Sequence, residues 1–338
     1  MGAGESDGRP ARLARLRAVA ERALAGYDLP GPSARLICDG WNTTYRVDAA
    51  GGQRFLLRLQ RAPVTSVDRI AAELAWLDAL GRDTDLVVPG VVRRRDGRAA
   101  AVETAAGASR VCVLFRWTRG RFLEDGLRPV HLRRVGALLA RLHDHAGTYT
   151  LPAGVTARRL YGVDEPSWYV ADPVGPATVD RLVALIDDVY GAGSGALVRA
   201  ALERVRAVGA GLGEGPDEFG LVHGDLHQEN FLFMAGGRVA AIDFDDCGFG
   251  HHAYDVAIPV AELSFRPDIG DLQAALLAGY RAVRPFSAAA EASIPTFVQL
   301  KRIQLMFWNI DRRAGATAHR WRRDVAADLV RIRRFLAA

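Results

Sequence analysis

Three cysteines in 338 residues, Cys38, Cys112 and Cys247, are too few, odd in number and too far apart for a disulfide framework or a zinc knuckle, so reduced thiols are expected. No run of about 18 apolar residues occurs, which excludes an ordinary membrane-spanning helix. The N-terminal stretch also lacks the charged, apolar and small-residue succession of a signal peptide. The expectation is a soluble protein of the cytoplasm with no membrane partner. Basic stretches interleaved with aromatics are missing too, so the net charge of +5 does not point to nucleic acid. It leaves room for a smaller anionic ligand. Lysine is nearly absent: of 44 basic residues, Lys301 is the only lysine. That Arg- and Ala-rich composition reads as genomic base composition rather than function. No internal repeat or low-complexity segment is present.

What is present, 49% apolar residues, suffices for a substantial core in one large or two medium domains. The most informative stretch runs from Leu221 to Asp255. Two apolar runs, Phe231–Met234 and Val239–Ile242, flank the turn Ala235-Gly236-Gly237 and predict a hairpin. Its outer ends would bring together Asp225, Asn230 and Asp243, a carboxylate plus two oxygen ligands. Magnesium-dependent phosphoryl transfer needs that set. The spacing Asp-x-x-x-x-Asn, followed by an aspartate at a strand end, is that of a kinase catalytic loop and its metal aspartate.

His223-Gly224-Asp225-Leu226-His227-x-x-Asn230, then Ile242-Asp243-Phe244-Asp245 and Tyr254-Asp255, resembles the aminoglycoside phosphotransferase superfamily, which includes homoserine and choline kinases. The resemblance extends from about residue 33 to about 265. It implies an α+β, two-lobed protein-kinase-like fold, with a five-stranded antiparallel small lobe over 1–117 and a mostly helical large lobe over 118–338. ATP and Mg²⁺ are the implied cofactors, with GTP left open as donor. Asp225 is the implied base, Asn230 and Asp243 the metal ligands. His223 braces the loop, and Asp255 fixes it from below.

In the first part, a helix over 10–27 is expected from the helical spacing of Leu13, Leu16, Val19, Ala20, Ala23, Leu24 and Tyr27, as packing or dimerisation material. Strands follow at 35–38, 43–48 and 54–60. Neither a Gly-x-Gly-x-x-Gly nor a Walker A motif occurs. Instead Gly40, Asn42, Thr43 and Thr44 offer backbone N–H groups and hydroxyls to phosphate oxygens. Arg58 lies in an apolar strand and must find a counter-charge. The candidate is Glu73, on a helix over 67–80, and the resemblance places Arg58 at the nucleotide phosphates. Val87–Val92 and Ala99–Glu103 read as further strands. Backbone groups near Phe115–Trp117 would take the adenine edge.

The second part opens with a helix over 129–145. There, His143 and His145 point in different directions and read as packing rather than metal ligands. The C-terminal part reads as helix over 253–264, 269–283, 289–313 and 317–336. The segment from Asp243 to Asp255 is too short for a peptide platform, which favours a hydroxyl acceptor of small-molecule size. Aromatic and acidic groups, Asp246, Trp168, Trp308 and Asp311, are the candidate acceptor contacts, suited to an amine-bearing compound. Three readings stand: a small-molecule kinase, a Ser/Thr protein kinase, and a non-catalytic nucleotide-binding scaffold. A monomer or a homodimer is equally compatible with the sequence.

Overall fold

Alternating burial along Thr43–Ala49, with Thr43, Tyr45, Val47 and Ala49 inside, marks a strand with one face on the core. A computed structural model describes residues 8–61, 66–123, 126–160, 183–184, 186–312 and 322–337, with backbone alone at 69, 307–312 and 322–326. The chain divides into two units, Met1–Arg119 with Leu151–Thr156 and Gly120–Thr150 with Ala157–Ala338.

The first unit holds β1 (Ser33–Asp39), β2 (Thr43–Ala49), β3 (Gln53–Leu59), β4 (Val91–Val92), β5 (Ala100–Ala105) and β6 (Ala108–Arg116). They form one antiparallel sheet in the order β1-β2-β3-β6-β4, with β5 also paired to β6. Six strands replace the expected five, because β4 and β5 share one edge of β6. The expected strand over 87–92 shrinks to Val91–Val92. Pro89 has no N–H to offer a ladder, and the carbonyl of Gly90 is taken by Arg116 N–H.

Helix α1 (Arg9–Leu24) buries Leu16, Val19, Ala20, Ala23 and Leu24 in a cluster with Tyr27, Tyr45, Val47, Phe55, Leu57, Leu59 and Leu114. Each large apolar side chain so covered contributes about 1.5–3 kcal/mol. The stripe is consumed inside this unit, which makes α1 packing material. Helix α2 (Ala71–Asp83) follows a 3₁₀ turn at Val67–Ile70, capped by the Ser66 hydroxyl accepting from Asp68 N–H, and buries Glu73, Leu74, Trp76, Leu77 and Leu80.

The second unit contains α3 (Pro129–Thr148), α4 (Ser194–Leu212), α5 (His252–Leu263), α6 (Ile269–Arg281), α7 (Ala288–Arg312) and α8 (Arg322–Ala337). Two small antiparallel pairs lie among them: β7 (Phe219–Val222) with β10 (Gly248–His251), and β8 (Phe231–Phe233) with β9 (Val239–Ala241). The second pair is the hairpin expected at the Gly236-Gly237 turn. The first has no strong local signal, because its two short strands meet across the whole intervening loop. Helix α5 is buried along its length except at Glu262, so it forms the axis of this unit. Helices α3 and α6 pack in close contact. A Cβ on Gly136 would collide with the Leu276 carbonyl, and one on Gly279 with the Arg133 carbonyl.

Candidate active site

The loop between β7 and β8 carries Asp225, and its shape is dictated by backbone bonds to a buried carboxylate. Asp255, in the first turn of α5, is fully buried and accepts the N–H of His223 and of Gly224, each at 2.8 Å. It also accepts from His143 Nε2 at 3.1 Å. Burial raises the Asp255 pKa, against the lowering effect of the His223 ring, the two N–H donors and His252. Gly224 has a φ of +83°, and a Cβ there would strike the Asp246 carbonyl, so only glycine fits the turn. His223 spans the site: its Nε2–H donates to the Ile242 carbonyl at 3.0 Å while Nδ1 accepts from Asp225 N–H at 3.3 Å. Both bonds need a neutral ring, and burial lowers the His223 pKa accordingly.

Both oxygens of Asp225 are engaged. Oδ1 takes the Lys301 ammonium at 2.5 Å. Oδ2 takes the Asn230 amide nitrogen at 3.3 Å and lies 3.5 Å from His227 Nε2. Burial works to raise the carboxyl pKa, but Lys301 and His227 outweigh it, and Asp225 is held ionised well below the usual range. Burial likewise opposes a charge on His227, yet Asp225 prevails and raises that pKa.

Asn230 also donates to the Asp225 carbonyl at 2.8 Å, which turns its amide oxygen away as the end able to ligate. Ile242, the residue after β9, donates its N–H to the Asn230 carbonyl at 2.9 Å, so Asp243, the next residue, follows directly on a backbone bond to Asn230. Asp243 is exposed and left-handed, φ 63° and ψ 65°, a conformation costing an aspartate on the order of 1 kcal/mol. A hard divalent cation accepts two such protein oxygens and completes its shell with water and phosphate oxygens, so this donor set fits one.

Asp246, an expected acceptor contact, already has a cation. Arg158 donates to its Oδ1 at 3.0 Å and to the carbonyls of Asp245 and Cys247. Burial nevertheless pushes the Asp246 carboxyl up to about 6, with Arg158 opposing and the neighbouring carboxylates of Asp225 and Asp245 adding to the rise. Trp168, and the side chains of Trp308 and Asp311, lie outside the described residues. His143 is a core residue: its Nδ1 bonds the Tyr280 hydroxyl at 2.8 Å and its ring stacks on His252.

In the first unit, Arg58 donates to Glu73 at 2.5 Å, both side chains about 4% exposed. The guanidinium also lies 5.0 Å from the centroid of the Phe115 ring. Thr43 and Thr44 are strand residues paired on both sides, to Asp39 and Cys38 in β1 and to Leu59 and Arg58 in β3. Their backbone amides are therefore given to ladders rather than held open for phosphate. The Thr43 hydroxyl donates to Asp39 at 3.3 Å, and Asn42 Oδ1 accepts from Arg61 N–H at 3.0 Å. Backbone groups at 115–117, where the adenine edge is expected, are likewise engaged within the unit. Phe115 pairs with Leu56 and Val91, while Arg116 N–H and Trp117 N–H already donate to Gly90 and Arg54.

Lys301 is the site residue that sequence reasoning missed. Its one signal in the sequence is its singularity as the lone lysine.

A model of the phosphotransferase enzyme family matches residues 33–289. The chain belongs to this family. A homoserine kinase of Acidiphilium cryptum is 30% identical over 298 residues, covering 84% of this chain and 82% of that protein. An uncharacterized protein of Deinococcus radiodurans is 30% identical over 298 residues, 85% of this chain and 81% of the other. A microcompartment-associated aminopropanol kinase has a similar structure, with a TM-score of 0.75 at 30% identity over 94% of this chain and 95% of that one. An amicoumacin kinase in complex with AMP-PNP, Ca²⁺ and Ami shares the fold, with a TM-score of 0.76 at 20% identity over 97% and 96% of the two chains. Like other family members, the protein is a phosphotransferase of the small-molecule kinase type with a protein-kinase-like α+β fold.

Proposed function

We propose that the protein transfers the γ-phosphoryl group of ATP, with Mg²⁺, to a hydroxyl of a small amine-bearing molecule. The observation that carries this reading is the Asp225 carboxylate. It is ionised, gripped at both oxygens, and tied through Asn230 to the strand end bearing Asp243. A fixed carboxylate accepts the acceptor hydroxyl's proton, or orients that hydroxyl, without having to be ordered during the reaction. Asn230 and Asp243 would hold the magnesium ion, which when bound neutralises charge on the phosphate oxygens. Arg58, held by Glu73, would donate to the nucleotide phosphates.

The acceptor is inferred from chemistry shared by the relatives: homoserine and aminopropanol each carry an amine and a hydroxyl. Asp246 alone does not explain amine binding, since Arg158 already faces it. The amine is placed instead in the acidic surroundings of Asp225 as a whole, where Asp245 and Glu262 add carboxylates to Asp246.

Two measurements test the reading. MgATP should raise the melting temperature of the wild-type protein but not of Asp243→Ala; an equal rise in the variant would remove Asp243 from the metal site. Phosphoryl transfer from labelled ATP should then be screened over amino alcohols, hydroxy amino acids, sugars and aminoglycosides. Labelling of a protein with no small acceptor consumed would overturn the small-acceptor assignment.

A further inference from the structure

We propose that Lys301 is a positioning residue of the phosphoryl-transfer site, whose ammonium fixes the plane of the Asp225 carboxylate and which arginine cannot replace. The inference rests on the reading of Asp225 as the group that faces the acceptor hydroxyl.

Three observations carry it. The first is residue type. Histidine aside, arginine supplies every other side-chain cation in this chain, including the buried Arg58 against Glu73 and the half-buried Arg158 against Asp246. A pair needing only positive charge is thus met here by arginine even in the interior, and Lys301 is the exception. The second is geometry. The ammonium meets a single carboxylate oxygen at 2.5 Å, with its side chain 8% exposed. A compact tetrahedral donor can do this while leaving the second oxygen to Asn230. A planar guanidinium fork would seek both oxygens and needs more room.

The third is the helix that carries it. One turn beyond Lys301, Gln304 of α7 accepts from the Tyr254 hydroxyl at 2.8 Å, and that hydroxyl also lies 3.4 Å from the Gly224 carbonyl in the Asp225 loop. One turn before it, Phe297 packs edge-on against the Tyr254 ring at 6.1 Å. The same face of α7 thus supports the loop through packing, a polar relay and one charged contact. Lys301 is the contact that reaches the functional carboxylate. Because Asp225 already holds it, the ammonium is not an open site for an anionic group of the acceptor.

The single lysine makes a direct test possible. Protein labelled with isotopic lysine should show one side-chain ammonium resonance, protected from solvent exchange in the wild type. That resonance should broaden or leave the ammonium region in Asp225→Asn. A wild-type resonance exchanging like free lysine, or one indifferent to Asp225→Asn, would overturn the pairing, and this arm needs no acceptor.

Kinetics with homoserine and 1-amino-2-propanol as probes form the second arm. Lys301→Met should lower kcat about 10²-fold, the usual consequence of a misplaced reacting group. The acceptor KM and the MgATP-induced rise in melting temperature should change little. Lys301→Arg should not restore the rate. Full restoration by arginine, or normal kcat in the methionine variant, would sink the proposal. If Asp225→Asn itself turned over normally, the assignment of Asp225 would fail; an inactive Asp225→Asn beside a normal Lys301→Met would remove only the role of Lys301.

Discussion

Asp225 and Arg58 are both charged groups taken largely out of water, but removing them has different expected consequences. Asp225→Asn keeps shape and one acceptor oxygen while losing the charge. Turnover should fall by a factor on the order of 10²–10⁴. Because the proposed metal ligands, Asn230 and Asp243, are intact, MgATP should still raise the melting temperature. Wild-type turnover in this variant would displace Asp225 from the chemistry. Arg58→Ala instead takes the guanidinium away from Glu73, which is 3% exposed as a residue. Breaking a buried pair by removing one member costs roughly 3–5 kcal/mol, so thermal unfolding should shift strongly downward. Arg58→Lys should keep most of that stability yet raise the KM for ATP, since the planar donor fork is lost. Unchanged ATP kinetics in both variants would leave Arg58 a structural residue.

At the level of elements, the close packing of α3 and α6 decides how the helices under the site fit. Gly136 and Gly279 each face a backbone carbonyl of the other helix, and backbone cannot swing aside as a side chain can. Gly279→Ala should therefore destabilise by roughly 1–3 kcal/mol through overpacking. Gly147→Ala, in the same α3 but with nothing within 4 Å of the added Cβ, is the control. It should be neutral or stabilising by up to about 1 kcal/mol, because alanine loses less backbone entropy in a helix. Equal melting temperatures for the two variants would contradict the contact. The β7–β10 pair shows how elements place functional loops. Gly248 opposite Val222 brings the segment after Asp243 alongside His223–Asp225.

For the whole molecule, the distribution of histidine makes stability depend on pH. Burial lowers the pKa of His143, His223, His251 and His252, and His252 falls to about 2 with the further effect of His143 and Arg284. Above the unfolded value near 6.5 these rings are neutral in both states. As pH falls through 6.5, the unfolded chain takes protons that the folded chain refuses, and stability is lost. Where only the unfolded chain binds the proton, as for His252 over the whole range from pH 6 to 5, the loss is about 1.4 kcal/mol per pH unit. Asp246 acts in the opposite sense over a lower window: with its carboxyl raised to about 6, its contribution is full below the ordinary carboxylate value near 4 and lost as pH rises through 6. His227 and Asp255, whose pKa values are also raised, act in the same sense as Asp246, and the four histidines outnumber these three groups. The melting temperature should fall from pH 7 to pH 5, and His252→Gln should flatten the slope by about one proton's worth. A melting temperature constant over that range would refute the neutral-histidine account.

Local spacing and periodicity made much of this protein legible in its sequence. The run from His223 to Asn230, the hairpin turn at Gly236-Gly237 and the aspartate after its second strand are consecutive features, and short-range geometry brings them together. Arg58 in an apolar strand and Glu73 on an apolar helix each need a counter-charge, so each predicts the other. The Lys301–Asp225 contact spans 76 residues, and no local pattern encodes it. The same holds for Arg158 on Asp246, for the two-sided pairing that occupies Thr43 and Thr44, and for the truncation of β4. Sequence determines which residues want a partner, because desolvating a charge or an amide is costly wherever it happens. Tertiary structure decides which partner each one receives, because only helix docking and strand order set what lies opposite.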